Sequence, residues 1–330
     1  MTLPDTSAST FHKLVYASVC FVWGTTYLAI KIGVETLPPF LMGGVRFLIA
    51  GLPLLLVLKW RGAPWPTRSD WPAIAVGGVT MLAIGNGLVG WAEQWLPSGL
   101  TAVLVLTSPF AYVGLSALLG DRIVPSTWAG LALAFVGVLV LFGGDIAKLA
   151  GAPDGAKLLW PIVAVLVSTV TWAVGGVVTA RAPSKAPLLM TVACQMLIGA
   201  AGQLAISAAA GEWARPLAPS PESLAALGYL VVAGSWIGFG GYVLILRTMS
   251  PDAVSLITYI NTVVAVLVGW LLGSETMSLR LVAGSAVIIA GVAVVNRGLA
   301  VEKRRKAEEA RRRQEEELKL SRELPKFQTQ

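Results

Sequence analysis

Two ionisable side chains, Arg46 and Glu93, stand out because each lies inside a long apolar stretch of the chain. If the stretch around Arg46 crosses a membrane, a cation at its centre costs about 2.5 to 3.5 kcal/mol on insertion scales. Arg46 must then face protein or water. Two interpretations remain open: Arg46 binds a carboxylate, from a substrate or from the protein, or it extends to the interface and links helix ends.

Glu93 occurs in Trp91-Ala92-Glu93-Gln94-Trp95, where an apolar stretch ends. A proton-coupled carrier needs a titratable group, and burial raises the pKa of a carboxyl toward neutral pH. Glu93 is therefore a candidate for ion coupling. The alternative is an interfacial or hydrogen-bonded structural role, because helix ends are wet.

Aromatic and amide side chains supply the other polar groups in the apolar stretches. Indole rings line cavities that hold flat or cationic solutes, and they also anchor helices at headgroup level. Asn86 lies between two glycines, where a loosened helix could offer carbonyls to a solute or simply pack closely. With Arg46, these residues are predicted to line a substrate-binding cavity: Trp23, Tyr27, Asn86, Trp172, Trp236, Tyr259 and Asn261. For each one alone, helix packing is the alternative.

The parts of familiar catalytic sites are missing from the sequence. Its one histidine, His12, lies near a terminus, and its two cysteines, Cys20 and Cys194, lie in separate apolar stretches. Zinc hydrolysis, Ser-His-Asp catalysis and a disulfide framework therefore lack their residues. No nucleotide-binding Walker motif occurs. We expect no catalytic residue, no metal site, no cofactor and no enzymatic activity.

The composition indicates a membrane protein. Of 330 residues, 55% are hydrophobic and only 13% charged, and the mean hydropathy is +0.73, which is too apolar for a soluble globule of this size. The net charge of +7 could suggest a nucleic-acid partner, but residues 302–330 carry 10 of the 25 basic side chains. The other basic residues occur singly between apolar stretches, so we expect no nucleic-acid binding.

Ten apolar runs are long enough to cross a bilayer, which takes about 20 helical residues. The first run lacks a strongly basic start and a cleavage pattern, so we expect it to be retained. The runs cover residues 14–34, 39–59, 72–92, 98–119, 124–143, 159–180, 187–209, 223–246, 252–273 and 278–297. The sequence thus predicts an all-α polytopic membrane protein with ten transmembrane helices.

Basic residues predict the orientation, because Lys and Arg favour cytoplasmic loops. The loops on the side of the N-terminus, with the first residues of the C-terminal tail, hold 12 Lys or Arg, whereas the opposite loops hold 4. Both termini are therefore expected in the cytoplasm. The four on the opposite side are Lys148, Lys157, Arg215 and Arg280.

Weak internal duplication divides the ten runs into two sets of five. Trp23 and Trp172 are each followed by a proline 15 residues later, at an offset of 149. Asp121 and Glu275 each precede two glycines by 9 and 16 residues, at an offset of 154: Gly130 and Gly137, then Gly284 and Gly291. Since five is odd, the second set would enter the membrane from the opposite face. Chance spacing is the alternative.

The predicted units are residues 1–148 and 149–301, two inverted five-helix repeats around a central cavity, and a charged cytoplasmic tail at 302–330. Opposite charges three or four residues apart in the tail favour an exposed helix.

Several segments resemble the EamA-type carriers of the drug/metabolite transporter superfamily. They are FVWGTTYLAIK (21–31), PPFLMGGVRF (38–47), GNGLVGWAEQWLPSGLTAVLVLTSPF (85–110), LLGDR (118–122) and GLALAFVGVLVL (130–141), with LLGSE (271–275) in the second half. The halves are not equivalent, because Arg46 corresponds to Gln195 and Pro109 to Val263. The resemblance implies a ten-helix carrier with a central cavity that exports small metabolites such as amino acids, or drug-like compounds.

We therefore expect a secondary transporter in the inner membrane that exports small organic solutes by alternating access. A passive channel or an uptake carrier is the alternative, and an intramembrane enzyme fits the residues less well, because no paired catalytic groups occur. The expected partners are a small-molecule substrate and the lipid bilayer. The protein is expected to be a monomer or a homodimer.

Overall fold

The computed structural model describes residues 10–118, 125–149, 155–182, 186–214, 217–249 and 251–323. Within these ranges the chain is helical with short turns, and it contains no strand. Asp121 lies outside the described residues.

The helices of the described ranges are numbered in chain order. They are α1 (Thr10–Val34), α2 (Pro39–Trp60), α3 (Trp71–Ala92), α4 (Ser98–Val105), α5 (Ser108–Leu118), α6 (Pro125–Leu149), α7 (Gly155–Arg181), α8 (Leu188–Ala209), α9 (Pro221–Thr248), α10 (Pro251–Leu272) and α11 (Leu279–Glu323). A short 3₁₀ turn, Glu212–Ala214, precedes α9.

Six of the described helices are long and apolar enough to cross a membrane: α1, α2, α3, α7 from Leu158, α8 and α9. Three shorter apolar helical stretches accompany them, Ser98–Tyr112, Ile257–Leu272 and Leu279–Val295. This architecture is that of a multi-pass membrane protein. The count of ten spans stays a prediction.

One predicted run is divided between two helices. The run 98–119 is not one helix, because α4 ends at Val105 and α5 begins at Ser108. Pro109, in the first turn of α5, has no backbone N–H to continue the α4 hydrogen bonds. The last apolar run matches the apolar stretch Leu279–Val295, and α11 continues beyond it through the charged tail to Glu323.

The helical tail itself was expected from its charge spacing, and it is confirmed as far as Glu323. The Nε atom of Arg311 lies 3.1 Å from a carboxylate oxygen of Glu315, and that of Arg305 lies 3.5 Å from Glu309. Both pairs are four residues apart and exposed, so each contributes only about 0.3 to 0.5 kcal/mol to the helix.

Two helices contain wide π-helical segments, Gly78–Asn86 in α3 and Leu230–Phe239 in α9. They begin 152 residues apart, between the two offsets of the sequence duplication. A π turn leaves backbone carbonyls available to side chains and is frequent at functional sites.

Glycines join α6 to α11. A Cβ atom at Gly130 would lie 2.6 Å from the Gly291 carbonyl oxygen, and one at Gly137 would lie 2.9 Å from that of Gly284. The backbones therefore approach so closely that only glycine fits, as is usual where helices pack in lipid.

We call the end at which α1 finishes and α2 begins the distal end. Lys31, near the end of α1, donates a hydrogen bond of 2.7 Å from Nζ to the carbonyl of Glu93, just after α3. The end of α3 and the start of α4 therefore also lie at the distal end.

Candidate functional site

An aromatic cluster joins three helices in the interior. The rings of Trp23 (α1) and Trp172 (α7) lie 5.7 Å apart in an edge-to-face arrangement. Tyr242 (α9) packs against both, at 4.7 Å from Trp23 and 6.0 Å from Trp172. Such pairs contribute about 0.5 to 1.5 kcal/mol each beyond burial, so the cluster is a rigid aromatic surface.

Arg46 lies in α2 and is 4% exposed. Its Nε atom donates a hydrogen bond of 2.9 Å to the hydroxyl of Ser235, in the π segment of α9. The guanidinium also lies 4.8 Å from the ring centre of Phe47. Among the described residues no carboxylate pairs with it. This burial is costly for a cation and leaves several of its five N–H donors available to a ligand.

Gly234 brings Arg46 and the aromatic cluster together. Its carbonyl accepts a hydrogen bond of 3.4 Å from the indole nitrogen of Trp23. A Cβ atom at Gly234 would lie 2.6 Å from the Nη2 atom of Arg46. The guanidinium and the indole therefore meet at one residue of the π segment, which only glycine allows. A buried cation beside an aromatic surface can hold a solute that carries both a carboxylate and an apolar ring.

Asn86 ends the π segment of α3 and is half-buried. In that segment the Leu82 carbonyl accepts a hydrogen bond of 2.7 Å from Nε2 of Gln203 in α8. A locally loosened helix, one of the two interpretations of Asn86, is therefore present, and one of its carbonyls is bound by a side chain.

Glu93 follows the last residue of α3 and is 0% exposed. Neither carboxylate oxygen has a hydrogen-bond partner among the described residues. Burial raises the pKa of Glu93 well above its usual range, and the nearby Lys31 ammonium opposes that shift. The wet, interfacial environment considered from the sequence is wrong for this side chain. Tyr27 lies close enough to interact electrostatically with Glu93.

Three other predicted residues make contacts of their own. Trp236 is 44% exposed, and its indole nitrogen donates a hydrogen bond of 2.9 Å to the Ala50 carbonyl. Tyr259 packs in a separate apolar cluster with Leu104. Asn261 is buried, and its Oδ1 atom has no hydrogen-bond partner among the described residues.

An open apolar groove of about 530 Å³ lies between α3 and α7 near the distal end. Trp91, Trp95 and Trp160 line it, and none of the predicted binding residues does. Tryptophans near helix ends are typical of anchoring at the membrane interface.

Tyr242, Ser235 and Gln203 were not predicted as site residues from the sequence. Gln203 is buried in a mostly apolar helix. An amide in such a run was the signal that could have revealed it, because a buried amide needs a hydrogen-bond partner. Ser235 and Tyr242 gave no comparable signal.

The fold and these contacts define a multi-pass helical membrane protein with a polar and aromatic site between its helices. The comparisons specify the family. The chain matches the EamA-like transporter family twice, over residues 13–143 and 159–297, and it belongs to that family. Membership of this family, together with the names of its relatives, indicates a membrane transporter.

Curated relatives agree with this assignment. The chain is 39% identical over 258 residues to the uncharacterized inner membrane transporter YedA of Escherichia coli K12, covering 78% of this chain and 81% of that protein. It is 27% identical over 285 residues to the uncharacterized transporter YvbV of Bacillus subtilis, covering 83% and 88%. A solved crystal structure with 23% identity shares the fold, with a TM-score of 0.59 over 87% of this chain and 98% of the other.

Proposed function

We propose that this transporter is a secondary carrier that exports small organic solutes, amino acids or related metabolites and drug-like amphiphiles, from the cell. The observation that carries the proposal is that Arg46 and Trp23 both lie against Gly234. A buried guanidinium with no carboxylate partner among the described residues favours a solute with a carboxylate, and the adjacent rings favour an apolar or aromatic part.

The mechanism we propose is alternating access by two inverted five-helix units. The family matches the chain twice, and the two π segments occur at corresponding positions. The glycine contacts are also reciprocal. At an offset of 154, Gly130 corresponds to Gly284 and Gly137 to Gly291, so the contact of Gly130 with Gly291 corresponds to that of Gly284 with Gly137. A two-fold axis between α6 and α11 would generate this pattern.

The proposed binding site contains residues from both halves of the chain. Arg46 and Trp23 belong to the first half, and Trp172, Ser235 and Tyr242 to the second. A rocking movement of one half against the other would change every one of these contacts. A solute held there would therefore be bound differently in the two conformations, which alternating access requires.

Glu93 is our candidate for coupling transport to a proton gradient. A carboxyl that is fully buried without a hydrogen-bond partner favours the protonated form, and exposure would favour release of the proton. A conformational change that alternately buries and exposes Glu93 would thus move protons in step with the solute.

Reconstitution in liposomes tests the proposed function. Labelled amino acids and cationic dyes are offered with and without a pH gradient, and uptake is measured against solute concentration and in counterflow. Saturable transport that is accelerated by unlabelled solute on the opposite side is expected. Linear flux without counterflow would indicate a channel, and net accumulation only in the inward direction would indicate an uptake carrier.

A further inference from the structure

Two glutamates of the second half cap helices of the first half at the distal end. Glu212 lies in the turn before α9 and is 3% exposed. Its Oε2 atom accepts a hydrogen bond of 2.9 Å from the backbone N–H of Leu41, and its Oε1 atom accepts one of 3.4 Å from Phe40. These N–H groups belong to the first turn of α2 and have no partner within the helix.

Glu275 caps the N-terminus of α4 in the same way. Its Oε1 atom accepts a hydrogen bond of 2.6 Å from the backbone N–H of Ser98, and its Oε2 atom accepts one of 3.0 Å from Gly99. A carboxylate is favoured at a helix N-terminus both by charge-assisted hydrogen bonds and by the helix dipole. Both carboxylates are therefore held by backbone groups of the opposite half.

The backbone conformation next to Glu275 places its carboxylate at the N-terminus of α4. Ser274 has a φ of +52°, and it is the one non-glycine residue in the described ranges with a positive φ. The strained residue turns the chain back after α10, and the Glu275 N–H donates a hydrogen bond of 3.1 Å to the Gly269 carbonyl. Backbone strain of this kind persists where the surrounding contacts require it.

Two glycines make room for the carboxylate. A Cβ atom at Gly269 would lie 2.6 Å from the Oε2 atom of Glu275, and one at Gly99 would lie 3.3 Å from it. The position of Glu275 is therefore determined from both sides, by α4 of the first half and by α10 of the second.

Further polar contacts join the halves at the distal end. The hydroxyl of Ser223 donates a hydrogen bond of 2.8 Å to the Ile32 carbonyl, and the N–H of Ser220 donates one of 3.1 Å to the hydroxyl of Thr36. These contacts involve neutral groups. The glutamates differ because each forms two charge-assisted bonds, which are about twice as strong as neutral ones.

We propose that Glu212 and Glu275 are positioning residues that latch the distal end shut, and that both must leave the backbone N–H groups of α2 and α4 before the solute path opens there. The proposal rests on the proposed function, since it assigns the closed end of the alternating-access cycle. It also follows that the structure represents the conformation closed at the distal end, which the predicted orientation places outside the cell.

Distances between spin labels across the distal end test the latch. The background protein carries C20A and C194A, and labels are attached at two pairs of exposed positions, E35C with M277C and E35C with L217C. The first pair reports on the loop of Glu275 and the second on the turn of Glu212. Pulsed electron paramagnetic resonance on the full chain in lipid nanodiscs then gives the distance distribution of each pair.

The parent protein is expected to give mainly the shorter distance in both pairs. Glu275→Gln should raise the ratio of longer to shorter distances about tenfold in the first pair, and Glu212→Gln should do so in the second. Glu222→Gln is the matched control, because Glu222 is an exposed acid in the first turn of α9 that caps no helix of the first half. Its distributions should equal those of the parent.

Distributions of E275Q and E212Q that superimpose on the parent would overturn the proposal. If either glutamine variant does not fold, Glu275→Asp keeps the charge but shortens the side chain by one methylene, and it should also populate the longer distance. An unchanged distribution in that variant would equally overturn the latch. No solute or flux enters the measurement, so a failure of the proposed transport in liposomes and a failure of the latch are distinguishable.

Discussion

At the scale of single residues, the chemistry of the site depends on a cation that the protein itself does not neutralise within the described ranges. Arg46 is buried, and its one hydrogen bond to a side chain there is the bond to Ser235. A guanidinium presents a planar fork that matches a carboxylate, whereas an ammonium is a point charge. Replacing Arg46 by lysine therefore keeps the positive charge but removes the planar fork, so the two contributions can be measured separately.

Arg46→Gln should raise the half-saturating concentration of a carboxylate-bearing solute by about tenfold to a hundredfold, because a hydrogen bond to a charged group is worth about 1.5 to 3 kcal/mol. Arg46→Lys should recover only part of the loss. Counterflow in liposomes measures both variants. Arg280→Gln is the control, because Arg280 is exposed at the distal end. Equal half-saturation in all four proteins would remove Arg46 from the binding site.

Trp23→Ala and Trp172→Ala should lower solute flux at least tenfold per molecule while reducing expression less. Each substitution removes one ring of the aromatic cluster and leaves a void beside Tyr242. Flux normalised to purified protein measures the effect. Trp60→Ala, at a side chain that is 86% exposed, should keep the parent flux. Normal flux per molecule in the two interior variants would mean that the cluster serves packing alone.

Glu93→Gln should abolish uphill transport driven by a pH gradient and leave downhill flux largely intact. Glutamine resembles the protonated carboxyl, which burial already favours because it raises the pKa of Glu93. A raised pKa means that the group releases its proton only at higher pH or when exposed. Accumulation with and without a pH gradient tests this, with Glu222→Gln as the control. Unchanged accumulation in E93Q would exclude Glu93 from coupling.

Part of the site was predictable from residue types. An arginine is costly and a tryptophan is distinctive inside an apolar run, so the sequence alone singles out Arg46 and Trp23. Ser235 and Tyr242 could not be assigned in this way. They lie in and just after the π segment of α9, whose wider turns shift the helix face that each later residue presents. A periodicity of 3.6 residues cannot follow that shift.

At the scale of helices, apolar runs predict the depth of each segment but not its hydrogen bonds. The run 98–119 is uniformly apolar across the break between α4 and α5, so hydropathy alone does not detect it. The proline at 109 was visible in the sequence, but many membrane helices tolerate proline because neighbouring groups bind the freed carbonyls. The extension of α11 beyond 297 was predicted from the charge spacing of the tail and not from hydropathy, since polarity ends a membrane run without ending a helix.

The contact of α6 with α11 gives a prediction for helix packing. Gly130→Ala should destabilise the protein by about 1 to 3 kcal/mol, because the added Cβ atom would lie 2.6 Å from the Gly291 carbonyl and the backbones cannot move apart without losing other contacts. Thermal unfolding in detergent measures the change. Gly228→Ala is the control, since a Cβ atom there meets nothing within 4 Å. A melting temperature for G130A equal to that of G228A would show that the glycine contact does not limit packing.

At the scale of the whole molecule, alternating access by two inverted units depends on their having an odd number of spans each. An odd unit followed by a second odd unit returns the chain to its starting side, so both termini must share a compartment. The latch adds a second requirement, because Glu212 and Glu275 must lie on the opposite side from the termini, at the distal end where α1 finishes.

Single cysteines in the C20A and C194A background test both requirements in intact cells with a membrane-impermeant maleimide. Positions 35 and 217 are exposed at the distal end and should be labelled from outside. Cysteines at 2 and 330 should be labelled only after the membrane is opened. The reason is electrostatic: the 12 basic residues on the side of the N-terminus resist translocation, whereas the opposite loops carry 4. Labelling of one terminus and not the other would give the chain an odd number of spans, and two equal inverted units could not then exchange conformations.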